Sequence, residues 1–340
     1  AGVLADAVPP RQAAIVLARP MFLPAGLLRC HGPEHRCRGP RDPRRQLEAH
    51  PGLGRQPRPA VYVYSFGVPT QAPAEGTKPS EVKAKPLPEP LMTHKNTVTF
   101  AGCGDAFGSG GRFNSCFVVD VEGFRYAIEF GATSLVALQQ AGIKHASLDA
   151  VIFSHIHADH CSGIPSMLLD SMLGAKRTKP LIIAGPKDTE VRLREMMESM
   201  LPGSDIMVPK FELTFVELEL MKPNKVGQHA VVTPYPANHT AKTHPTSLRV
   251  EAGGKIVSYT GDTAWTKHVP KISKDADLFI CECYFYQKPI RFHMNYPDIR
   301  EHRAELKSKR IILTHFSREM MLHKDDVSEE TAYDGLVVEL

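Results

Sequence analysis

Four residues that could bind a metal stand within six positions of one another in the segment SHIHADH. They are His155, His157, Asp159 and His160, and they follow an apolar stretch that is predicted to be a buried strand. Alternate side chains of an extended chain share one side, so His155 and His157 point the same way, and the following turn brings the other two alongside. Three imidazoles and a carboxylate this close together suit borderline divalent metals, above all zinc.

Three further candidate ligands lie at the ends of other predicted strands. They are His239 in PANHT, Asp262 in YTGDTAW and His315 in ILTHFS. Together with the first segment they supply five histidines and two aspartates. That inventory suits two metals that share one bridging carboxylate. The sequence therefore predicts a binuclear metal site built from the ends of several strands.

The segments that must position these residues alternate between strand and helix patterns from about residue 96. Apolar runs such as VIFSH and IILTH predict strands that end in polar loops, and Glu122-Gly123 and Gly253-Gly254 predict hairpin turns. Helices are predicted over ATSLVALQQAGI, over DTEVRLREMMESML with Asp188 as its N-cap, and over PDIREHRAELKSK. The segment RIILTHFS is predicted to be the last core strand. This alternation indicates an α/β fold of two sheets covered by helices.

The motif HIHADH, with the later His239, Asp262 and His315, resembles the metallo-β-lactamase superfamily over about residues 96–320. The resemblance implies an αββα sandwich, in which two mixed β-sheets are flanked by helices and the metals lie at the sheet edges. It also implies the ligands of each metal by position. The first metal would be bound by His155, His157 and His239, the second by Asp159, His160 and His315, and Asp262 would bridge both.

Several other segments, among them GPKDTEV, ADLFICECYFY and RFHMNY, resemble the ribonuclease Z and phosphodiesterase branch of this superfamily. That resemblance implies that Glu282 and His293 assist proton transfer to the leaving group. It is incomplete, because Cys281 stands where the family usually has a histidine, and no long basic arm that would clamp tRNA lies between the ligand motifs. Two plainer interpretations stay open: Glu282 in a structural ion pair, and His293 as a surface residue beside Arg291.

These features predict a metal-dependent hydrolase in which a hydroxide bridging two metals attacks an ester-type bond. Two divalent ions are expected, zinc first, with manganese or iron as alternatives. Asp159 would also orient the hydroxide, so it joins Glu282 and His293 as a candidate catalytic residue. The leading substrate is a small or nucleotide-like phosphodiester. The alternatives are a carboxylic ester or lactone and, last, the processing of tRNA 3′ ends by an endonuclease. A homodimer is expected by similarity alone.

Residues 1–91 differ in composition from residues 92–340. They hold 16 of the 28 prolines and carry 13 Lys/Arg against 7 Asp/Glu, a charge of +6, whereas the remainder carries −2. We predict that residues 92–340 form the hydrolase domain and that residues 1–91 are a disordered or non-native extension. A targeting peptide and a basic interaction arm are the alternatives for this extension.

The overall composition excludes several classes of protein. Of the 340 residues 42% are hydrophobic and 23% are charged, as in soluble globular proteins, and no apolar run approaches the roughly 18 residues that a membrane helix needs. The net charge of +4 is too small to argue for nucleic acid by itself. Seven scattered cysteines form no disulfide framework, which predicts a reducing compartment, the cytoplasm.

Overall fold

The computed structural model describes residues 96–340, so the predicted extension over residues 1–91 lies outside the described residues. Within that range the strands are β1 (Thr97–Gly102), β2 (Cys116–Val121), β3 (Phe124–Ile128), β4 (Ala150–Ile152), β5 (Leu181–Gly185), β6 (Leu213–Glu217), β7 (Asn224–Val226), β8 (Ala230–Pro236), β9 (Thr246–Ala252), β10 (Lys255–Tyr259), β11 (Leu278–Glu282), β12 (Ile311–Thr314), β13 (Glu330–Thr331) and β14 (Leu336–Glu339). The α-helices are α1 (Ser134–Gln140), α2 (Ala158–Cys161), α3 (Gly163–Leu173), α4 (Thr189–Met200), α5 (Val269–Ser273), α6 (Tyr296–His302) and α7 (Arg318–Leu322).

Across residues 96–340 the strands form two seven-stranded sheets. The first has the order β14-β1-β2-β3-β4-β5-β6, and the second has the order β13-β12-β11-β10-β9-β8-β7. Each sheet is mixed: β1 to β3 pair antiparallel and β3 to β6 parallel, while β7 to β10 pair antiparallel and β10 to β13 parallel. The predicted αββα sandwich of two mixed sheets flanked by helices is confirmed.

The two predicted hairpin turns join β2 to β3 and β9 to β10, as expected. One other prediction was wrong. The last core strand is not β12, because β14 follows it and pairs antiparallel with β1, burying Val338. Asp188 is the N-cap residue of α4, as predicted, but its side chain accepts no hydrogen bond from a helix amide. Its carboxylate lies 3.2 Å from Nε2 of His244 instead, and this contact takes the place of the side-chain cap.

The sheets pack against each other through an apolar layer of inward-facing side chains. Phe117 on β2 is fully buried there, and its ring lies 5.0 Å from Phe100 on β1 and 5.2 Å from Tyr259 on β10, both edge to face. Phe100 and Phe117 belong to the first sheet and Tyr259 to the second. This aromatic trio therefore joins the two layers.

The outward-facing residues of the same strands pack under helices. Val118 on β2 lies in a cluster with Leu138 of α1 and Met167 of α3, and Cys281 on β11 lies in a cluster with Ile299 of α6. Because side chains alternate along each strand, one strand supplies both the inner and the outer layer. The helices thus cover both outer faces of the sandwich.

Two expectations from composition concern the cysteines and the membrane. The cysteines of the described range are buried and unpaired, namely Cys103, Cys116, Cys161, Cys281 and Cys283, as expected of a chain without a disulfide framework. Over residues 96–340 we find no helix with the length and apolarity needed to cross a membrane. The cytoplasmic location stays a prediction.

The candidate ligands follow strands whose ends meet at one edge of the sandwich. His155 comes shortly after β4 and His239 shortly after β8, while Asp262 follows β10 and His315 follows β12 directly. Strands β10, β11 and β12 run parallel, so their carboxyl ends lie side by side. Polar residues at these ends are therefore brought together by the sheet itself.

We expect the aromatic trio to carry a large share of the stability. Phe117→Ala leaves a cavity between the sheets and should lower the free energy of unfolding by about 3–5 kcal/mol. Urea unfolding followed by circular dichroism measures this loss. The matched control is Phe107→Ala, because that ring is 73% exposed, and its effect should stay within about 0.5 kcal/mol. A loss below about 1 kcal/mol for Phe117→Ala would contradict this view of the core.

Candidate metal centre

The HIHADH segment leaves β4 and turns directly into the short helix α2. His155 and His160 are fully buried, and their rings lie 4.0 Å apart. His157 stands at the N-cap of α2, with its Nδ1 atom 3.0 Å from Nε2 of His155. Asp159 lies in the first turn of the helix, with one carboxylate oxygen 3.1 Å from Nε2 of His160. The tight strand-to-helix turn therefore brings all four side chains together.

The three ligands predicted on other strands reach the same place. Nε2 of His239 lies 3.1 Å from Nδ1 of His157. One oxygen of Asp262 lies 3.4 Å from Nε2 of His160, 3.3 Å from Nε2 of His315 and 3.9 Å from Nε2 of His155. The Asp262 carboxylate thus lies between the two groups of imidazoles.

The potential ligand atoms of the described residues form three groups, within each of which they lie no more than 4.8 Å apart, and the third, of Asp262, Glu282, His293 and His315, overlaps the second. The first consists of His155, His157 and His239. The second consists of Asp159, His160, Asp262 and His315. These are the sets that the resemblance implies. Their assignment to particular metals stays a prediction.

The hydrogen bonds of the first group leave nitrogen lone pairs directed at its centre. Nδ1 of His239 lies 3.0 Å from the carbonyl oxygen of Phe292, so this nitrogen carries the proton and Nε2 does not. Nδ1 of His155 lies 3.0 Å from the hydroxyl of Ser154. Burial lowers the pKa of His155 strongly, and it is also the main cause of the lowered pKa values of His157 and His239. Neutral imidazoles with converging lone pairs fit a divalent metal.

The second group buries negative charge. Burial alone would raise the pKa of Asp262, but the charges of His315 and His160 hold it well below its usual range. Burial likewise opposes protonation of His315, yet the charge of Asp262 raises the pKa of His315 to about 9. Oδ1 of Asp262 and Nδ1 of His315 are buried without a hydrogen-bond partner among the described residues. A cation bound between these groups would satisfy both the charge and the open oxygen of Asp262.

Glu129 is a functional candidate that the sequence prediction missed. It follows β3 with a left-handed φ of 66°, is fully buried, and accepts a hydrogen bond of 3.0 Å from the backbone amide of Ser154. Its other oxygen lies 3.3 Å from Nδ1 of His160. This carboxylate holds the His160 ring so that Nε2 faces Asp262. A carboxylate at the end of a predicted strand was the signal that could have identified it.

The sequence predicted Glu282 and His293 to act together, and the structure places them in contact. Glu282 is fully buried at the end of β11, and one of its oxygens lies 2.9 Å from Nδ1 of His293. Its other oxygen accepts hydrogen bonds from the backbone amides of Thr263 and Met294. His293 Nδ1 is also 3.9 Å from Asp262. Burial lowers the pKa of His293, but the charge of Glu282 outweighs it and the net pKa is raised.

Tyr284 is a second residue that the sequence prediction missed. Its ring stacks on His293 with 4.5 Å between centroids and lies 5.9 Å from His315. Burial raises the pKa of Tyr284 to about 12, so its hydroxyl remains a hydrogen-bond donor at neutral pH. The tyrosine therefore forms one wall of the space beside His293.

Comparison with known proteins finds a matching family model and similar sequences. A family model described as anti-Pycsar protein Apyc1 matches residues 96–337. The ribonuclease Z of Alkaliphilus oremlandii is 25% identical over 306 residues, covering 70% of this chain and 96% of that protein. The anti-Pycsar protein Apyc1 of Bacillus phage 010DV004 is 23% identical over 244 residues, covering 67% of this chain and 92% of the phage protein.

A solved structure supports the same fold. The metallo-β-lactamase fold protein YhfI from Bacillus subtilis superposes with a TM-score of 0.59 at 23% sequence identity, covering 72% of this chain and all of that one. The 72% of this chain that the match covers is close to the fraction formed by residues 96–340, which the structure describes. At this level of identity the similarity concerns the fold alone.

We expect Glu129 to act as a positioning residue for His160. A glutamine at this position cannot both accept the hydrogen bond of the Ser154 amide and present a negative charge to the His160 ring, so Glu129→Gln should weaken zinc affinity about 10–100-fold. Competition with a chromophoric chelator measures this affinity. The matched control is Glu301→Gln, on the exposed side of α6, which should bind zinc like the wild type. An affinity of Glu129→Gln within about twofold of the wild type would contradict the positioning role.

Proposed function

The chain belongs to the family described as anti-Pycsar protein Apyc1 and is a hydrolase of the metallo-β-lactamase superfamily, and from this premise we propose that it is a binuclear metal-dependent phosphodiesterase. Its substrate would be a small or nucleotide-like phosphodiester. The observation that carries the proposal is the shared position of Asp262. Its carboxylate lies among the second group of ligands, 3.9 Å from His155 of the first group and 3.9 Å from His293.

The residues present fit two divalent ions, with zinc as the first choice and manganese or iron as alternatives. The first ion would be held by His155, His157 and His239, the second by Asp159, His160 and His315, and Asp262 would bridge both. Bound there, the ions supply a nucleophilic water at neutral pH and stabilise the charge that develops on the phosphoryl oxygens.

The chain's own residues then orient the reactants. The Asp159 carboxylate, 3.1 Å from Nε2 of His160, would accept a hydrogen bond from the attacking water. Nδ1 of His293 is engaged by Glu282, so Nε2 is the atom from which a proton can pass to the departing alkoxide. Glu282 favours the protonated imidazole before this transfer and holds Nδ1–H after it. Tyr284, stacked on His293, limits the directions from which the leaving group can approach.

Two other substrate classes remain candidates. The ligand set serves a carboxylic ester or lactone as well, because the same ions polarise a carbonyl oxygen. The similarity to the ribonuclease Z of Alkaliphilus oremlandii favours processing of tRNA. The short connections around β6 and β7 support a small substrate instead, because they leave no long basic arm between His160 and His315. The homodimer stays a prediction.

We expect purified protein to bind about two zinc ions per chain and to hydrolyse bis-p-nitrophenyl phosphate. His157→Ala removes one nitrogen ligand and should lose both a metal ion and most of the turnover. Metal content by mass spectrometry and release of p-nitrophenolate measure the two quantities. His229→Ala is the matched control, since its exposed imidazole stacks on Phe124 away from the ligand groups.

The alternatives are decided on the same preparation. Cleavage of a lactone without cleavage of the phosphodiester would replace the proposed substrate class with the ester alternative. Removal of the 3′ trailer from a precursor tRNA, without turnover of small diesters, would support the tRNA alternative. Absence of bound metal after reconstitution with zinc or manganese would overturn the metal site as a whole.

We expect His293 to matter most for poor leaving groups. His293→Ala should reduce kcat at least about 100-fold for a diester that releases an alkoxide, because that product needs a proton. For a p-nitrophenyl diester the loss should be below about tenfold, because p-nitrophenolate leaves without one. Equal losses with both substrates would contradict the role as a general acid. His323→Ala, at an imidazole paired with Asp326, serves as control.

A further inference from the structure

Two residues with an unusual backbone conformation contact each other from different loops. Asp188 precedes α4 and has a φ of 67°, and His244 lies on the loop between β8 and β9 and has a φ of 49°. Residues other than glycine seldom adopt this left-handed region, because it brings Cβ close to the backbone. Where they do, the surrounding structure holds them in place, often beside a functional site. The contact between two such residues is therefore a candidate for a role in function.

The contact itself is a single polar interaction near the surface. Oδ2 of Asp188 lies 3.2 Å from Nε2 of His244, and the two side chains are 40% and 36% exposed. An ionised carboxylate only accepts hydrogen bonds, so Nε2 of His244 carries the proton that it donates. Ion pairs as exposed as this one contribute little to the free energy of unfolding. Stability alone does not account for two residues in a strained conformation.

The Asp188 end of the contact is fixed by two hydrogen bonds of its backbone. Its amide donates to a carboxylate oxygen of Glu217 on β6 at 2.9 Å, and its carbonyl oxygen accepts from the amide of Arg192 in α4 at 2.9 Å. Asp188 is thus attached to a strand and to a helix. It offers His244 a partner whose position is set by the fold.

The His244 end lies in a segment that holds the strand-to-helix turn of the metal centre. Just before His244, the carbonyl oxygen of Thr243 accepts a hydrogen bond of 3.2 Å from the amide of Ile156. Just after it, the amide and the hydroxyl of Thr246 donate to the carbonyl oxygen of Ser154 at 3.1 and 2.8 Å. Ser154 and Ile156 are the two chain neighbours of the first ligand histidine. The segment therefore fixes the backbone on both sides of that ligand.

The same segment also holds the third ligand of the first group. The carbonyl oxygen of Pro245 accepts a hydrogen bond of 3.2 Å from the amide of Ala237, two residues before His239. Ile156 directly precedes His157, the remaining ligand of the group. The residues on either side of His244 thus contact the backbone next to all three imidazoles.

We propose that Asp188 and His244 are positioning residues for the first metal ion. Their contact holds the loop between β8 and β9 against the start of α4, and that loop keeps the three imidazoles at the spacing that a divalent ion requires. The inference rests on the metal centre of the proposed function, and it adds two residues that are not themselves ligands.

Glycine substitutions separate this role from a contribution to stability. Asp188→Gly removes the carboxylate, while glycine adopts a φ of 67° without strain. We expect the zinc affinity of the first site to fall about tenfold, the lower end of the range for residues that orient metal ligands. The matched control is Asp275→Gly, because Asp275 is an exposed aspartate with a φ of 57° whose carboxylate has no partner among residues 96–340. That control should bind zinc within about twofold of the wild type.

Competition with a chromophoric chelator measures zinc affinity, and urea unfolding of the metal-free protein measures stability. The urea midpoint should change equally in Asp188→Gly and Asp275→Gly, because an exposed ion pair adds little. Asp188→Asn keeps an oxygen that accepts from the His244 imidazole, so it should bind zinc within about twofold of the wild type. A loss of affinity that only accompanies a lower urea midpoint than that of the control would overturn the proposal. Unchanged zinc affinity in Asp188→Gly would overturn it as well.

Two further comparisons assign the effect to this contact and to this ion. His244→Gly should weaken zinc binding as much as Asp188→Gly, and the double variant should bind no more weakly than either, because all three remove the same contact. His244→Gly also replaces Asp188→Gly in the test if the latter does not fold. In His157→Ala protein, which is expected to keep the second ion alone, Asp188→Gly should change the remaining affinity less than about twofold.

The outcomes distinguish this proposal from the proposed function. Additive losses in the double variant, or a tenfold loss in the His157→Ala background, would overturn the positioning role and leave the hydrolase untouched. Zinc binding and turnover that are normal in every variant would do the same. A wild-type protein that binds no zinc would overturn the proposed function together with this role.

Discussion

The burial of the Asp262 carboxylate among imidazoles is the constraint on which the rest of the site depends. An ionised carboxylate removed from water costs several kcal/mol unless positive charge is placed beside it. Asp262 is 3% exposed, and the nearest nitrogen atoms of His160 and His315 lie 3.4 and 3.3 Å away. The backbone before it is equally constrained, since a Cβ on Gly261 would lie 2.6 Å from the carbonyl oxygen of Thr246. Glycine, with a φ of +58° here, is what lets the aspartate reach its position.

A second layer of polar contacts decides what the imidazoles can do. The Phe292 carbonyl fixes the proton of His239 on Nδ1, and Glu129 faces the Nδ1 atom of His160. Each contact leaves the Nε2 atom of its histidine directed at the ligand groups, where a bound metal would need the lone pair of that nitrogen. Phe292 itself has a left-handed φ of 73°, a conformation that bulky residues rarely adopt. The turn that carries His293 therefore also orients His239, and the strained backbone of Phe292 positions both side chains.

The ligand residues were predictable because they either lie close together in the sequence or directly follow apolar strands. His155 to His160 lie in one short turn, and isolated histidines and aspartates after apolar strands stand out in the sequence. The contacts that orient them were not predictable. Glu129 meets a residue 31 positions away, and a backbone carbonyl leaves no trace in side-chain type. The fold shows the same division, since the hairpin turns were predicted from Glu122-Gly123 and Gly253-Gly254, whereas β14 pairs with β1 across almost the whole domain.

The metal centre and the adjoining cleft of about 820 Å3, which His239, Leu220 and Pro245 help to line, differ in charge. The centre concentrates ligands for cations and so favours any phosphate or ester oxygen that reaches it. That attraction cannot distinguish one diester from another. The cleft has a balanced charge and largely apolar walls, so it offers an organic group a surface that the charged centre does not. His239 belongs to both regions, since its Nε2 faces the other imidazoles and its ring lines the cleft. A group bound at the His239 side of the cleft would contact a side chain that is also a predicted metal ligand.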